Sequence, residues 1–155
     1  MEFISVMPSS QMESLLNIKV KYLPNAHILE QTNLGDWIDL YVYKDTTLKK
    51  FERKYINLGI ALELPKGYEA IIAPRSSTYK NWGIIQTNSI GIVDNSYCGD
   101  NDIWMFPVLA FKDVTIPAGT RICQFRILKS QPKLNFISVD SLGNNTRGGL
   151  GSTGL

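Results

Sequence analysis

Some segments of this sequence combine residue types that could bind and cleave a polyphosphate. Pro74-Arg75-Ser76-Ser77 joins a guanidinium to short hydroxyls. A guanidinium offers a planar fork of donors that suits phosphate, and the N–H groups at a helix start also bind anions. Asp94 lies in an Asp-Asn-Ser turn, and a carboxylate within reach of water can act as a general base. The tail Arg147–Gly154 combines an arginine with glycines and hydroxyls, a composition suited to a phosphate clamp.

Taken singly, each segment has an ordinary structural explanation. A lone Pro-Arg-Ser-Ser is more often a helix cap that follows a strand, Asp94-Asn95 is a common hairpin turn, and a glycine-rich tail is mobile unless something binds it. These segments therefore indicate chemistry only if the fold brings them together.

The elements that must position these segments are predicted to be almost entirely β-strands. Runs rich in Ile, Val, Tyr and Phe are separated by turn residues, which favours an all-β sandwich or barrel. The predicted strands are Ile18–Leu23, Trp37–Tyr43, Tyr55–Leu64, Tyr68–Ala73, Trp82–Gln86, Ile103–Phe111, Ile122–Leu128 and Leu134–Val139. One short helix is predicted over Ser77–Asn81, capped by Ser76 or Ser77.

The domain organisation follows from the same pattern. Residues 1–17 are predicted to be a loosely ordered leader, residues 18–142 a single β domain, and residues 143–155 a glycine-rich C-terminal clamp. At 155 residues the chain has the size of one domain.

Composition excludes several function classes. A net charge of +2 argues against binding polymeric nucleic acid. Cys98, Cys123 and the single His27 lack the spacing of a zinc site, and the cysteines are interpreted as reduced thiols. Neither a membrane-spanning run nor a signal peptide is recognisable, so we expect a cytoplasmic location.

From Ile18 to Gly154 the chain resembles the trimeric deoxyuridine triphosphatase (dUTPase) family, in its short-tailed bacterial or phage form. The family's five motifs occur in order. They are Gly35–Leu40, Pro74–Ser77, Asn88–Asp100, Gly119–Phe125 and Arg147–Gly154. The resemblance implies a jelly-roll-like β-sandwich or barrel, assembled as a homotrimer with each C-terminal arm exchanged onto a neighbouring subunit. It also implies Mg²⁺-dependent hydrolysis of dUTP to dUMP and pyrophosphate, which keeps uracil out of DNA and supplies dUMP for thymidylate synthesis.

The resemblance assigns the phosphate side of the site to the first, second and fourth motifs. Asp39 matches an aspartate that holds a water of the Mg²⁺ shell, and Gln124 matches a glutamine near the metal–triphosphate. No residue is expected to bind the metal directly. Arg75 would contact a phosphate group. Ser76 would approach the oxygen between the α and β phosphorus atoms, and Ser77 would add hydrogen-bond donors. Arg121 is interpreted as structural, pairing across strands or subunits.

The third motif is the most specific and implies a uracil pocket. Its hairpin would read the base through backbone groups, Tyr97 would pack under the deoxyribose and exclude a 2′-hydroxyl, and Asp94 would orient the attacking water. The substrate-contacting residues of this hairpin are Asn88, Gly91, Ile92, Val93, Asp94 and Tyr97.

The fifth motif departs from the usual pattern. Arg147 would reach the γ-phosphate, and Gly151, Ser152 and Thr153 would add donors. The segment is short, however, and Leu150 stands where the family usually places an aromatic residue over uracil. We hypothesise that the strand after the hairpin supplies the side chain that covers the base, here called the lid. Trp104 is preferred because of its large area, and Met105 is the second candidate. Strand alternation puts Trp104 and Phe106 on one face and Ile103 and Met105 on the other.

The resemblance implies that each site takes motifs one, two and four from one subunit, three from a second and five from a third. The expected partners are dUTP and two further copies of the chain. Neither a membrane nor a nucleic-acid polymer is an expected partner, and the sequence does not identify a regulatory protein partner.

Three other functions also fit parts of the sequence. A dCTP deaminase shares the fold but needs a Glu shortly after the hairpin, where this chain has Gly99–Trp104 without one. A dUTP-binding regulatory protein without turnover would not need both Asp94 and Arg147. A structural β-sandwich trimer would leave the Pro-Arg-Ser-Ser and Gly-Ser-Thr-Gly segments without a purpose.

Overall fold

Antiparallel β-sheet makes up most of the regular structure in the computed structural model, which describes residues 15–151. The predicted leader therefore lies mostly outside the described residues, and so do the predicted phosphate donors Ser152 and Thr153. The strands are β1 (Lys19–Tyr22), β2 (Ile38–Tyr41), β3 (Thr46–Leu48), β4 (Arg53–Asn57), β5 (Ile60–Glu63), β6 (Tyr68–Pro74), β7 (Ile84–Gln86), β8 (Gly91–Val93), β9 (Met105–Ala110), β10 (Val114–Ile116) and β11 (Arg121–Lys129). The all-β prediction is confirmed.

The strands form four small sheets. A four-stranded sheet has the order β2-β11-β6-β8, a three-stranded sheet the order β4-β9-β7, and two pairs join β1 to β5 and β3 to β10. All of these pairings are antiparallel.

One hydrophobic core joins the two larger sheets. Leu40, Ile72 and Phe125 reach it from the four-stranded sheet, and Ile56 and Phe106 reach it from the three-stranded sheet, each at most 3% exposed. Alternation along β9 buries every second side chain, as the pleat requires. Each such side chain contributes about 1.5–3 kcal/mol by burial, so the core fixes how the strand ends lie relative to one another.

The predicted strand Tyr55–Leu64 is wrong as a single element. It divides into β4 and β5 at Gly59, whose φ of 74° is a conformation that favours glycine. The side-chain oxygen of Asn57 accepts the Gly59 N–H at 2.7 Å and closes this turn. An apolar run alone does not reveal such a break, because both halves are buried.

Strand predictions also failed near the helix and at the end of the chain. Trp82 ends a helix, α1 (Thr78–Trp82), so the strand predicted from Trp82 begins only at Ile84. Leu134–Val139 forms no strand and leaves its apolar side chains exposed, Phe136 at 89%. Among residues 15–151 no helix is long and apolar enough to cross a membrane.

Candidate functional site

Arg75 follows β6 and is held by the carboxylate of Asp39 on β2. The distance from Arg75 Nε to Asp39 Oδ1 is 2.9 Å, and Arg121 Nη1 lies 3.5 Å from Asp39 Oδ2. Each of the two arginines thus meets one oxygen of the same carboxylate, which leaves the group with a net positive charge. This confirms that Arg121 pairs across strands, and the surplus charge suits a phosphate.

A buried threonine fixes the backbone of the Pro-Arg-Ser-Ser segment. The Thr78 hydroxyl accepts the N–H of Arg75 at 2.8 Å and donates to the carbonyl of Ile122 at 2.8 Å. Ser77 occupies the N-cap position of α1 as predicted, but its side chain makes no capping hydrogen bond. Ser76 remains exposed. Sequence reasoning missed Thr78, because a buried hydroxyl that joins two strands looks like any helical threonine.

Gln124 lies on β11, between Asp39 on β2 and the Pro-Arg-Ser-Ser segment at the end of β6. It is in register with Asp39 on one neighbouring strand and with Ala73 on the other. Its Nε2 donates to the Pro74 carbonyl at 3.1 Å, which leaves the amide oxygen as an acceptor. Within residues 15–151 no group of three or more His, Cys, Asp or Glu side chains could hold a metal ion.

The hairpin after β7 borders a cavity of about 350 Å³, a size typical of small-molecule sites. Its lining includes all of the predicted substrate-contacting residues of the hairpin. The lining residues are Tyr55, Ile72, Asn88, Gly91, Ile92, Val93, Asp94, Tyr97, Trp104, Met105 and Pro107. Gly91 packs so closely on Ile72 that an added Cβ would lie 3.1 Å from the Ile72 Cβ. Close packing at Gly91 keeps the hairpin backbone at the cavity wall, where it can read a base.

Asp94 and Tyr97 are fixed by short hydrogen bonds at the rim of this cavity. Asp94 Oδ1 accepts the N–H of Ser96 at 2.8 Å, and that bond, together with the Ser96 side chain, lowers the pKa of Asp94. The Tyr97 hydroxyl donates to the carbonyl of Ile103 at 3.1 Å. Asp94 is therefore ionised well into acid solution, as a group that accepts a proton from water must be.

The preference for Trp104 as a lid is wrong. Its side chain is 1% exposed and packs edge-on against Phe125, with ring centroids 5.2 Å apart. Met105, on the opposite face as the alternation predicts, is 38% exposed and lines the cavity. Leu150 and Arg147 lie in the exposed tail.

The structure does not bring the two halves of the site together within one chain. Val93, next to Asp94, pairs with Ala70 at the start of β6, whereas Arg75 follows the end of that strand, about 16 Å further along at about 3.3 Å per residue. The Arg75 guanidinium also points toward Asp39 on β2, across the sheet from the hairpin. Within one chain, the residues of the phosphate side and the hairpin therefore lie at different positions on the four-stranded sheet.

Both cysteines are free thiols, as predicted. Burial raises the pKa of the Cys123 thiol well above its ordinary value, and the nearby Asp39 carboxylate adds to the shift. A buried thiol of this kind is inert and packs as a small apolar group.

Comparisons with known proteins agree with the geometry. A model of the dUTPase family matches residues 26–154. The SPbeta prophage-derived deoxyuridine 5′-triphosphate nucleotidohydrolase YosS of Bacillus subtilis is 55% identical over 140 residues, which cover 90% of this chain and 99% of that protein.

Solved structures show the same fold. A dUTPase variant of Staphylococcus bacteriophage 80alpha with dUpNHpp matches with a TM-score of 0.72 at 18% identity, covering 90% of this chain and 99% of that one. A dUTPase variant from phage phi11 of S. aureus, described with a structural Mg(II) ion, matches with a TM-score of 0.66 at 16% identity, covering 81% and 98%.

Proposed function

This chain belongs to the dUTPase family and is a dUTP diphosphatase that releases dUMP and pyrophosphate, and we propose that it does so with Mg²⁺ in sites shared between three copies. The observation that carries this proposal is the ionised Asp94 at the rim of a nucleotide-sized hairpin cavity. A cytoplasmic location, where free nucleotides occur, is part of the proposal.

Asp94 acts on the attacking water. The Ser96 N–H holds one carboxylate oxygen, Oδ1, at 2.8 Å, and the carboxylate lies exposed to solvent at the cavity rim. The Asp94 carboxylate orients a water toward the α-phosphorus and takes its proton. The new P–O bond forms as the bond to the α–β bridging oxygen breaks, and pyrophosphate leaves with that oxygen.

Arg75 and the segment after it stabilise the leaving pyrophosphate. Phosphoryl transfer depends mainly on positioning and charge, and Asp39 holds the Arg75 guanidinium in one orientation. Ser76 is exposed beside it, and Thr78 keeps the intervening backbone fixed. Arg147, Gly151, Ser152 and Thr153 are proposed to close over the phosphates from the tail of another subunit.

The residues present fit a metal held mainly by the substrate. Asp39 and the amide oxygen of Gln124 are hard donors on adjacent strands. Mg²⁺ keeps several waters and is commonly bound through substrate phosphates and few protein groups. When bound, Mg²⁺ neutralises charge on the triphosphate, and Asp39 and Gln124 would hold waters of its shell. The phi11 phage dUTPase with its structural Mg(II) ion supports a role for this metal.

Assembly of three chains explains why the site is divided within one chain. It also explains the exposed segment that begins at Leu134, here called the arm. The arm carries Leu134, Phe136 and Ile137 at 54%, 89% and 76% exposure, and apolar side chains spaced along an extended segment favour burial against another chain. We propose that this arm crosses to a neighbouring subunit and delivers the tail to its site. The hairpin of one chain then faces the Arg75 side of a second.

Substrate selectivity tests the proposed function. We expect dUTP to be cleaved at least about a hundredfold better than UTP or dTTP. Tyr97 gives the reason against UTP, because a 2′-hydroxyl packed against its ring costs a few kcal/mol and each 1.36 kcal/mol is about tenfold. Mass spectrometry of the products from dUTP, dCTP, dTTP and UTP with Mg²⁺ measures this. Equal turnover of UTP would refute the role of Tyr97, and deamination of dCTP would indicate the related deaminase activity.

Subunit exchange tests the shared site. Trimers with Asp94→Asn and trimers lacking residues 147–155 are each expected to be nearly inactive, whereas mixed trimers recover activity because intact hairpins and tails meet in some sites. Sedimentation confirms the trimer, and exchange is followed with differently tagged subunits. If exchange occurs without any recovery, each site is built within one chain.

A further inference from the structure

We propose that Tyr55 of β4 stacks on the base bound in the hairpin cavity and thereby contributes to the choice of a flat pyrimidine. This role rests on the proposed function, because the base is taken to enter the cavity beside Gly91 and Asp94. It assigns a specificity-determining contact to a strand outside the family motifs found in the sequence.

The register of the three-stranded sheet puts Tyr55 on the wall of the cavity. Tyr55 lies opposite Pro107 and Asn57 lies opposite Met105, whereas the intervening Ile56 is fully buried. Tyr55, Pro107 and Met105 therefore share the outer face of β4 and β9, and all of them line the cavity. Residues of the hairpin, including Asp94, line the same cavity.

Tyr55 carries the most exposed aromatic ring among the described residues that line the cavity. Tyr55 is 74% exposed, whereas Trp104 is 1% exposed and Tyr97 is tied through its hydroxyl to the Ile103 carbonyl. Among residues 15–151, neither a hydrogen bond nor a ring contact engages the side chain of Tyr55. An exposed tyrosine in the middle of a strand gains little from burial in its own chain, so its large flat face is free for a ligand.

Stacking is the contact that this arrangement favours. Aromatic rings pack in offset parallel or edge-on arrangements, and a nucleobase presents a π face to any ring beside it. Met105 next to Tyr55 supplies a flexible side chain that packs well against rings. Tyr55 and Met105 thus line the cavity in a chain whose exposed tail carries Leu150 rather than a ring.

The test compares Tyr55→Leu, Tyr55→Phe and the control Tyr79→Leu. Tyr79 is also well exposed, at 58%, but lies on α1 away from the cavity. For Tyr55→Leu we expect about tenfold weaker binding of dUpNHpp and a matching rise in KM, with kcat nearly unchanged. Tyr55→Phe and Tyr79→Leu should bind like the parent chain.

A substrate without a planar base separates stacking from a general structural effect. With 5,6-dihydro-dUTP, whose saturated ring is puckered, Tyr55→Leu should change KM by less than about twofold. Equal losses for both substrates, or no loss for either, would overturn the proposal. Should Tyr55→Leu fail to form trimers, Tyr55→Trp replaces it. Its added fluorescence must then change when dUpNHpp binds, and an unchanged signal refutes stacking.

The proposed function is judged separately from Tyr55. Release of dUMP from dUTP by the unaltered chain with Mg²⁺ is measured first, and its absence refutes the proposed function. Turnover by the unaltered chain together with parent-like Tyr55→Leu refutes only the stacking role.

Discussion

Replacing Asp94 by Asn is expected to lower kcat for dUTP by about a hundredfold or more, while dUpNHpp still binds. The substitution keeps size and polarity but removes the group that accepts a proton from water, and general-base catalysis is worth about 10²–10⁴-fold. Binding persists because the cavity walls are largely backbone and apolar side chains, including Gly91 and Ile92. Steady-state kinetics and calorimetric titration with dUpNHpp measure the two effects.

Asp100→Asn is the matched control, because Asp100 is an exposed acid of the same segment that does not line the cavity. It should retain nearly full kcat.

The hydrogen bonds from Ser96 lower the pKa of Asp94, so its base form persists to more acid pH than that of an ordinary aspartate. The acid limb of the kcat profile should accordingly lie below the usual aspartate range and be absent in Asp94→Asn. A near-native kcat in this variant would exclude Asp94 as the water-orienting group.

The sequence was informative wherever a residue type by itself limits the chemistry. Arg75 with adjacent hydroxyls predicted an anion site, and the structure shows Arg75 beside Arg121 with Asp39 between them. Asp94 was predicted to lie in a hairpin turn, and in the structure the Ser96 N–H donates to its carboxylate across that turn. Such contacts are accessible to sequence reasoning because they lie within a few residues or across one strand pairing.

Burial and long-range pairing were not predictable in the same way. Trp104 and Met105 are adjacent, and their alternation was clear, but the sequence alone did not say which face was inside. Thr78 connects Arg75 to Ile122, a link between distant segments that local patterns do not reveal. The apolar residues of 134–139 have the composition of a strand, but a strand needs a neighbour and none among residues 15–151 pairs with them.

Deleting residues 147–155 is expected to lower kcat/KM for dUTP by more than about a hundredfold. The deletion removes the Arg147 guanidinium and the hydroxyls of Ser152 and Thr153, and hydrogen bonds to charged groups are worth about 1.5–3 kcal/mol each. Leu150→Ala removes only an aliphatic side chain from the same segment, so we expect it to cost less than about 1 kcal/mol. Kinetics on both variants, with sedimentation to confirm intact trimers, make the comparison.

Met105→Ala separates the contribution of the cavity rim from that of the tail. Met105 is partly exposed at the cavity, and sulfur–ring contacts are worth about 0.3–1.5 kcal/mol, so its loss should exceed that of Leu150→Ala and remain far below that of the deletion. Trp104→Ala is unsuitable for this comparison, because emptying a core position costs about 3–5 kcal/mol of stability. If Leu150→Ala were as damaging as the deletion, Leu150 itself would cover the base, since the phosphate donors of the tail are intact in that variant. Met105 and the wall of β4 would then have no part in closing the site.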